Sequence, residues 1–355
     1  MAIRFITPLD GQMMTDLAGV REGDALAIDV AVEAAPGQEV RINEQRAVWR
    51  DGAYHAAVLL DGYRNTVEAA CGEEKIKMGI YWIPEATKRF AVSVDDNIWW
   101  LQDLNDHPYR SIFDNPYLAV YQEAHDLYGI KLRLNIFYHT DRRGGFDLSR
   151  MTDRYRDEFL ANHDWLHLAF HAESELPDWP YAEATYAGLK YDYDRIKREV
   201  KRFAGYEPDR CTTIHFGSGS RQAVRAIRAE GVRTLMGYME VADGRSYVSY
   251  YLSPEEVAKV NEFGFWKDHG EDMIFGRIDC VMNQYDCTGI AARMDECLRR
   301  FPKNGYIEIM IHEQYFYEDY PSYMPDYREK VLTGVRYCVE HGYRPMFSGE
   351  ATAEW

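Results

Sequence analysis

The chain predicts an α/β barrel preceded by a small all-β domain, on three observations. Up to about residue 84, short β-branched segments are separated by Gly and Asp-Gly turns, the pattern of an all-β unit. Beyond that point, compact apolar runs alternate with helical stretches, which is the signature of βα units around a parallel sheet. Four of those runs end in reactive side chains: Phe90-Ala91-Val92-Ser93-Val94 in Asp95 and Asp96, Leu168-Ala169-Phe170 in His171, Thr212-Thr213-Ile214 in His215, and Ile309-Met310-Ile311 in His312. Strand ends of one barrel converge in space however far apart they lie in sequence, so one rim is expected to carry two Asp and three His.

Taken in order, the first strand candidates are Leu26 to Val32, Ala47 to Arg50, Tyr54 to Leu60 and Asn65 to Ala70, with turns at Asp51-Gly52 and Asp61-Gly62. A small immunoglobulin-like sandwich fits them best. Trp82-Ile83-Pro84 reads as a junction because Pro interrupts the pattern. The expected units are therefore 1–84, an accessory sandwich able to be removed, and 85–355, the barrel. Barrel strands are expected at 90–94, 131–137, 165–170, 211–214, 234–238, 273–278, 306–311 and 344–347. Between them, helices at 193–203, 221–230 and 327–340 are each closed by a following glycine, and Ser253-Pro254-Glu255-Glu256 is a capping box that opens another.

Bulk properties narrow the function. A formal charge of -17, from 58 acidic against 41 basic residues, excludes the electrostatic footprint of a nucleic-acid or anionic-membrane binder. No apolar stretch is long enough to span a bilayer, and the first residues lack a signal-peptide core, so the expectation for the sequence as it stands is cytoplasmic, with export left open. Six cysteines without a CxxC suit reduced thiols. Abundant aromatics, 27 Tyr and 8 Trp, lean towards a glycan partner when they fall in rim loops, as Trp99, Trp179, Tyr181 and Tyr315 do.

With these residues in view, the chain resembles the NodB-homology polysaccharide deacetylases over roughly residues 86–348, a family whose catalytic domain is a distorted (β/α)7 barrel. Ser93-Val94-Asp95-Asp96-Asn97 stands where that family has Thr-Phe-Asp-Asp-Gly, and Ala53 to Ala70 loosely resembles a hairpin of the immunoglobulin-like domains that accompany carbohydrate-active enzymes. The resemblance implies that Asp95 is a general base and that Asp96 binds a divalent metal. It further implies a His-x-x-x-His ligand pair at the third strand, for which two registers are open. His167 to His171 matches the letters, but an extended segment holds those residues about 13 Å apart, too far for one ion. The other register takes His171 with Glu175 and is preferred, since both lie beyond the strand.

A His, Asp, Glu set is harder than His, His, Asp and shifts the expected ion from Zn²⁺ towards Mn²⁺, Fe²⁺ or Co²⁺, whereas His215 restores a nitrogen donor. The family's Leu-x-His motif is similar to Met310-Ile311-His312, which makes His312 the implied general acid. The arginine that orients the base in the family is not evident, and Arg221 and Arg277 are the candidates to replace it. The implied activity is metal-dependent hydrolysis of an N- or O-linked acetyl group on a carbohydrate. Two other readings remain: a carbohydrate-binding barrel without turnover, and a glycosidase using Asp95 or Asp96 with Glu313. Oligomeric state is not legible.

Overall fold

A computed structural model of the chain describes residues 2–353. The N-terminal part forms two antiparallel sheets face to face. In one, Ala25–Glu33 pairs with Arg4–Thr7, Val20–Glu22 and Ala53–Leu60, and Val48–Arg50 closes the far edge. The other is built on the Arg64–Cys71 and Glu74–Trp82 hairpin, extended by Val40–Ile42 and Gln45–Arg46. Alternation explains the layering. In Arg64–Cys71, Asn65, Val67 and Ala69 point inward, where Val67 and Ala69 meet Ile28, Val30, Val58 and Ile80 in a shared core.

Seven parallel strands follow, each at or within a few residues of an apolar run read from the sequence: Arg89–Asn97, Leu132–Phe137, Leu166–Ala172, Cys211–Thr212, Thr234–Gly237, Met273–Arg277 and Tyr306–His312. They form two hydrogen-bonded arcs. One runs Leu166–Ala172, Leu132–Phe137, Arg89–Asn97, Tyr306–His312, with Cys280–Val281 outside it; the other runs Cys211–Thr212, Thr234–Gly237, Met273–Arg277. Polar contacts bridge the gaps between arcs: the Thr212 hydroxyl approaches the Phe170 carbonyl, and Asp279 N, just beyond Met273–Arg277, donates to Glu308 O at 2.8 Å.

Helices pack outside, as the sequence predicts. Tyr327–Glu340 falls where expected, and Ser253 makes its reciprocal capping box with Glu256. Tyr186–Phe203 starts earlier than the apolar pattern suggests, because Thr185 accepts from Gly188 N and caps an extra polar turn.

The two parts share one sheet. Gln12–Met14 lies parallel to Glu74–Trp82 on one side and antiparallel to Phe265–Asp268 on the other, and Phe265–Asp268 pairs with Met273–Arg277 of the second arc. A nine-stranded sheet therefore runs from the N-terminal hairpin into the barrel. Met13, Tyr81 and Ile83 pack with Met236, Phe265 and Ile274 in one cluster, and Phe263 of the barrel is buried in the core of the N-terminal sheets.

Candidate active site

Parallel strands buried on both faces deliver their carboxyl ends to one rim, and two irregularities aim the side chains there. In a regular strand Asp95 and Asp96 point to opposite faces. Here the pairing of Arg89–Asn97 with Leu132–Phe137 slips between Val94 and Asn97, and Asp96 sits at φ 66°. This bulge turns both carboxylates toward the same space, at the cost of a left-handed backbone at a non-glycine residue. A second slip, which pairs Ile136 with Phe170 but Phe137 with Ala172, leaves His171 as the extra residue of its strand.

Asp96, His171 and His215 meet at this rim. His171 Nε2 is 2.9 Å from Asp96 Oδ1, His215 Nδ1 is 3.1 Å from the same oxygen, and the two ring nitrogens are 3.1 Å apart. Among the described residues these form the one group of His, Cys, Asp or Glu side chains with the spacing of a metal site. Ligands about 2.0–2.1 Å from a tetrahedral ion are separated from one another by about 3.3 Å, so the triangle fits an ion with little adjustment. The outer nitrogens fit as well. His171 Nδ1 donates to the Thr213 carbonyl at 2.5 Å and His215 Nε2 to the Glu175 carbonyl at 3.1 Å, so the outer nitrogens keep their protons and the inner ones are the atoms that an ion would displace protons from.

Electrostatics favour a cation. Burial by itself raises the Asp96 carboxyl, but hydrogen bonds from His171 and His215 and the charge of His312 hold it well below the ordinary carboxylate range. Burial lowers the His171 imidazole, yet Asp95 and Asp96 outweigh it and raise its pKa. A site that retains a proton on a buried imidazole attracts positive charge, whether proton or metal.

Around the triangle, Asp95 is buried and accepts from Asn135 Nδ2 at 2.6 Å, while Asn135 Oδ1 lies 3.0 Å from the Thr212 hydroxyl. Asp95 and His312 face each other across neighbouring strands. His312 Nδ1 bonds Asn283 Oδ1 at 2.9 Å, which leaves Nε2 for a substrate. One layer deeper, Arg133 pairs with Glu308 at 2.5 Å, and Ser93 and Ser348 also bond the Glu308 carboxylate.

Several expectations are corrected. The Glu175 carboxylate is engaged by Arg142 at 2.7 Å and stays outside the triangle; only its backbone carbonyl serves the site. His167, which the preferred register leaves out, lies down the strand, bonded to Asp209 and the His163 carbonyl and stacked on Phe347. Neither arginine candidate orients Asp95, since Arg221 reaches Asp268 and Glu271, and Arg277 pairs with Asp279. Asn135 does so instead.

Glu313, the carboxylate considered for a glycosidase, accepts from the amides of Ile98, Trp99 and Trp100 at 2.6, 3.0 and 2.6 Å and from the Tyr317 hydroxyl. It caps the Trp99–Asp106 helix and is fully buried, which raises its pKa to about 7 against those donors. With its acceptor sites filled by backbone, it is not placed to protonate or attack a glycosidic bond.

Asn135, Thr212 and Asn283 escaped the sequence reading. A signal for the first two was present: polar residues at every second position of buried strands, Ser93 and Asp95, Arg133 and Asn135, mark a polar barrel interior.

No protein family's sequence profile matches the chain, and no curated protein matches it by sequence. Solved structures show a distant likeness to carbohydrate esterase family 4 proteins. The Xyl-CE4 domain of a multidomain xylanase from the hindgut metagenome of Trinervitermes trinervoides aligns at 9% identity and TM-score 0.37, over 75% of this chain and 89% of that one. A family 4 acetyl xylan esterase from Clostridium thermocellum, in complex with a cobalt ion, aligns at 11% identity and TM-score 0.37, over 73% and 87%. A CE4 family pseudoenzyme from Bacillus anthracis aligns at 10% identity and TM-score 0.37, over 76% and 66%. At such identity and superposition these likenesses say nothing about activity, and the chemistry rests on this chain's own residues.

Proposed function

We propose that the chain is a metal-dependent hydrolase that removes acetyl groups, N- or O-linked, from a carbohydrate. The observation that carries this reading is the triangle of Asp96, His171 and His215 donor atoms, none more than 3.1 Å from the next, with Asp95 adjacent and His312 across the strand pair. Two nitrogens and one oxygen suit Zn²⁺ best, with Mn²⁺, Fe²⁺ and Co²⁺ as alternatives. A divalent ion held there supplies Lewis acidity for an acyl carbonyl.

The chain's own groups handle the protons. Asn135 fixes one oxygen of Asp95, and this carboxylate takes a proton from a water molecule as the water oxygen bonds to the acetyl carbon. His312, oriented by Asn283, hands a proton from Nε2 to the departing amine or alcohol as the acyl bond breaks, which releases acetate. A carbohydrate is supported by Trp179, 59% exposed and packed on Phe216, whose ring in turn lies 4.4 Å from that of His215. An aromatic face beside the reactive rim suits the apolar face of a sugar.

The test is metal analysis of the purified protein together with acetate release from a panel of N- and O-acetylated oligosaccharides. Asp95→Asn should keep the metal and lose about 10²- to 10⁴-fold in rate, the usual contribution of a general base. Stoichiometric metal without acetate release from any substrate would instead favour the binding barrel, and absence of metal would remove the proposal.

A further inference from the structure

At the amino ends of the parallel strands, opposite the metal triangle, a cavity of about 1220 Å³ opens between the barrel and the N-terminal sheets. It exceeds the roughly 300–1,000 Å³ of ordinary small-molecule pockets. Arg64 reaches it from the N-terminal hairpin, and Arg210 and Arg233 from the residues just before the strands Cys211–Thr212 and Thr234–Gly237. Arg233 N donates to the Arg210 carbonyl at 2.7 Å, which holds the backbones of these two residues adjacent.

The acids lining the cavity mostly have cations of their own. Glu207 pairs with Lys201, Glu230 with Lys190, Asp209 with His167, and Asp272 with Arg228 and Lys267. Glu350 is engaged by the Phe347 amide at 3.2 Å. Among the described residues, Arg64, Arg210 and Arg233 have no carboxylate partner. Arg233, an exposed residue, donates through Nη1 to the Arg228 and Val232 carbonyls at 3.3 and 3.2 Å, and partial burial with the charges of Arg228 and Arg210 lowers its pKa against the opposing charge of Asp272. In a protein of net charge -17, a cavity that collects unpaired guanidiniums runs against the overall field.

Each guanidinium on this lining presents a planar fork of N–H donors that suits a phosphate or sulfate group. The aromatic rings of Tyr193, Tyr206 and Phe347 on the same lining give an organic body something to pack against. We propose that this cavity is a second binding site, separate from the metal centre, for a small organic molecule bearing a phosphate or sulfate group.

The test measures binding of inorganic phosphate, inorganic sulfate, a sugar phosphate and a sugar sulfate to the full chain by calorimetry, in chelator so that no metal binds the anion. Saturable binding in the low-millimolar range or tighter is expected, with an organic ester binding at least tenfold more tightly than the corresponding inorganic anion. The phosphate and sulfate arms identify which group is recognised. The double variant Arg210→Gln/Arg233→Gln should bind at least tenfold more weakly at an unchanged melting temperature, and His171→Ala should bind as the parent does. Should the double variant fail to fold, Arg64→Gln, on the other wall, serves the same purpose. No saturable binding by ~10 mM, no advantage for the organic ester, or equal binding by folded arginine variants would overturn the proposal.

Discussion

Deleting residues 1–84 should leave the barrel marginally stable rather than release it as an independent unit. The chain beginning at Glu85 loses Gln12–Met14, the strand that pairs along Phe265–Asp268, and so acquires a bare sheet edge. Other bonds go with it, among them Trp266 Nε1 to the Asp10 carbonyl at 2.8 Å and Lys267 N to the Gly11 carbonyl at 2.7 Å. Phe263, Phe265 and Ile274, all buried, turn partly towards water. Full exposure of such a side chain costs about 1.5–3 kcal/mol, and each keeps barrel neighbours on one side, so about 2–5 kcal/mol is lost from the three. These two hydrogen bonds bring the loss to about 3–8 kcal/mol. Against a typical total of about 5–15 kcal/mol, that leaves the truncated barrel marginal. Soluble yield and a thermal melt of the truncated chain decide the matter. A truncated chain that melts cooperatively within a few degrees of the parent, with its metal in place, would refute the reasoning.

Three other outcomes follow from the site and its supports. His171→Ala and His215→Ala should each lose most bound metal by elemental analysis, whereas His167→Ala and Glu175→Gln should keep it; the reverse pattern would mean that the triangle is not the metal site. Arg133→Met leaves the Glu308 carboxylate buried without its partner and should destabilise by about 3–5 kcal/mol in a denaturant melt, while the double change Arg133→Met/Glu308→Leu should recover most of that loss. Burial raises the Asp209 carboxyl, but its bond to His167 and the charge of Arg133 bring it below the ordinary value. Because the folded pKa is depressed, Asp209 contributes stability above the unfolded value of about 3.9 and loses it as pH falls through the lower folded value. The stability gap between parent and Asp209→Asn, followed by urea melts from neutral to acid pH, should therefore narrow below about pH 4; a constant gap would show that the carboxylate's charge is not what matters.

The residues that converge were legible because burial imposes a pattern. Runs such as Ile309-Met310-Ile311 must lie inside, a barrel must present their ends on one rim, and Asp96, His171, His215 and His312 each terminate such a run. The choice of His171 over His167 also followed from strand rise alone, since His167 belongs to the regular part of Leu166–Ala172.

Tertiary structure decided what local pattern leaves open. Bulges at Asp96 and His171 depend on how neighbouring strands register, and no run of letters states that the backbone will leave its period there. Glu175 and Glu313 sit at plausible spacings, yet an arginine from another loop takes one carboxylate and a helix N-terminus takes the other. Asn135 replaced the expected arginine because Asp95 needed a donor within reach, and reach is set by the neighbouring strand rather than by sequence distance. The same holds for Gln12–Met14. Three residues next to a turn carry no mark of the barrel they join, because a strand's partner is chosen by the sheet edge it meets after the chain has folded.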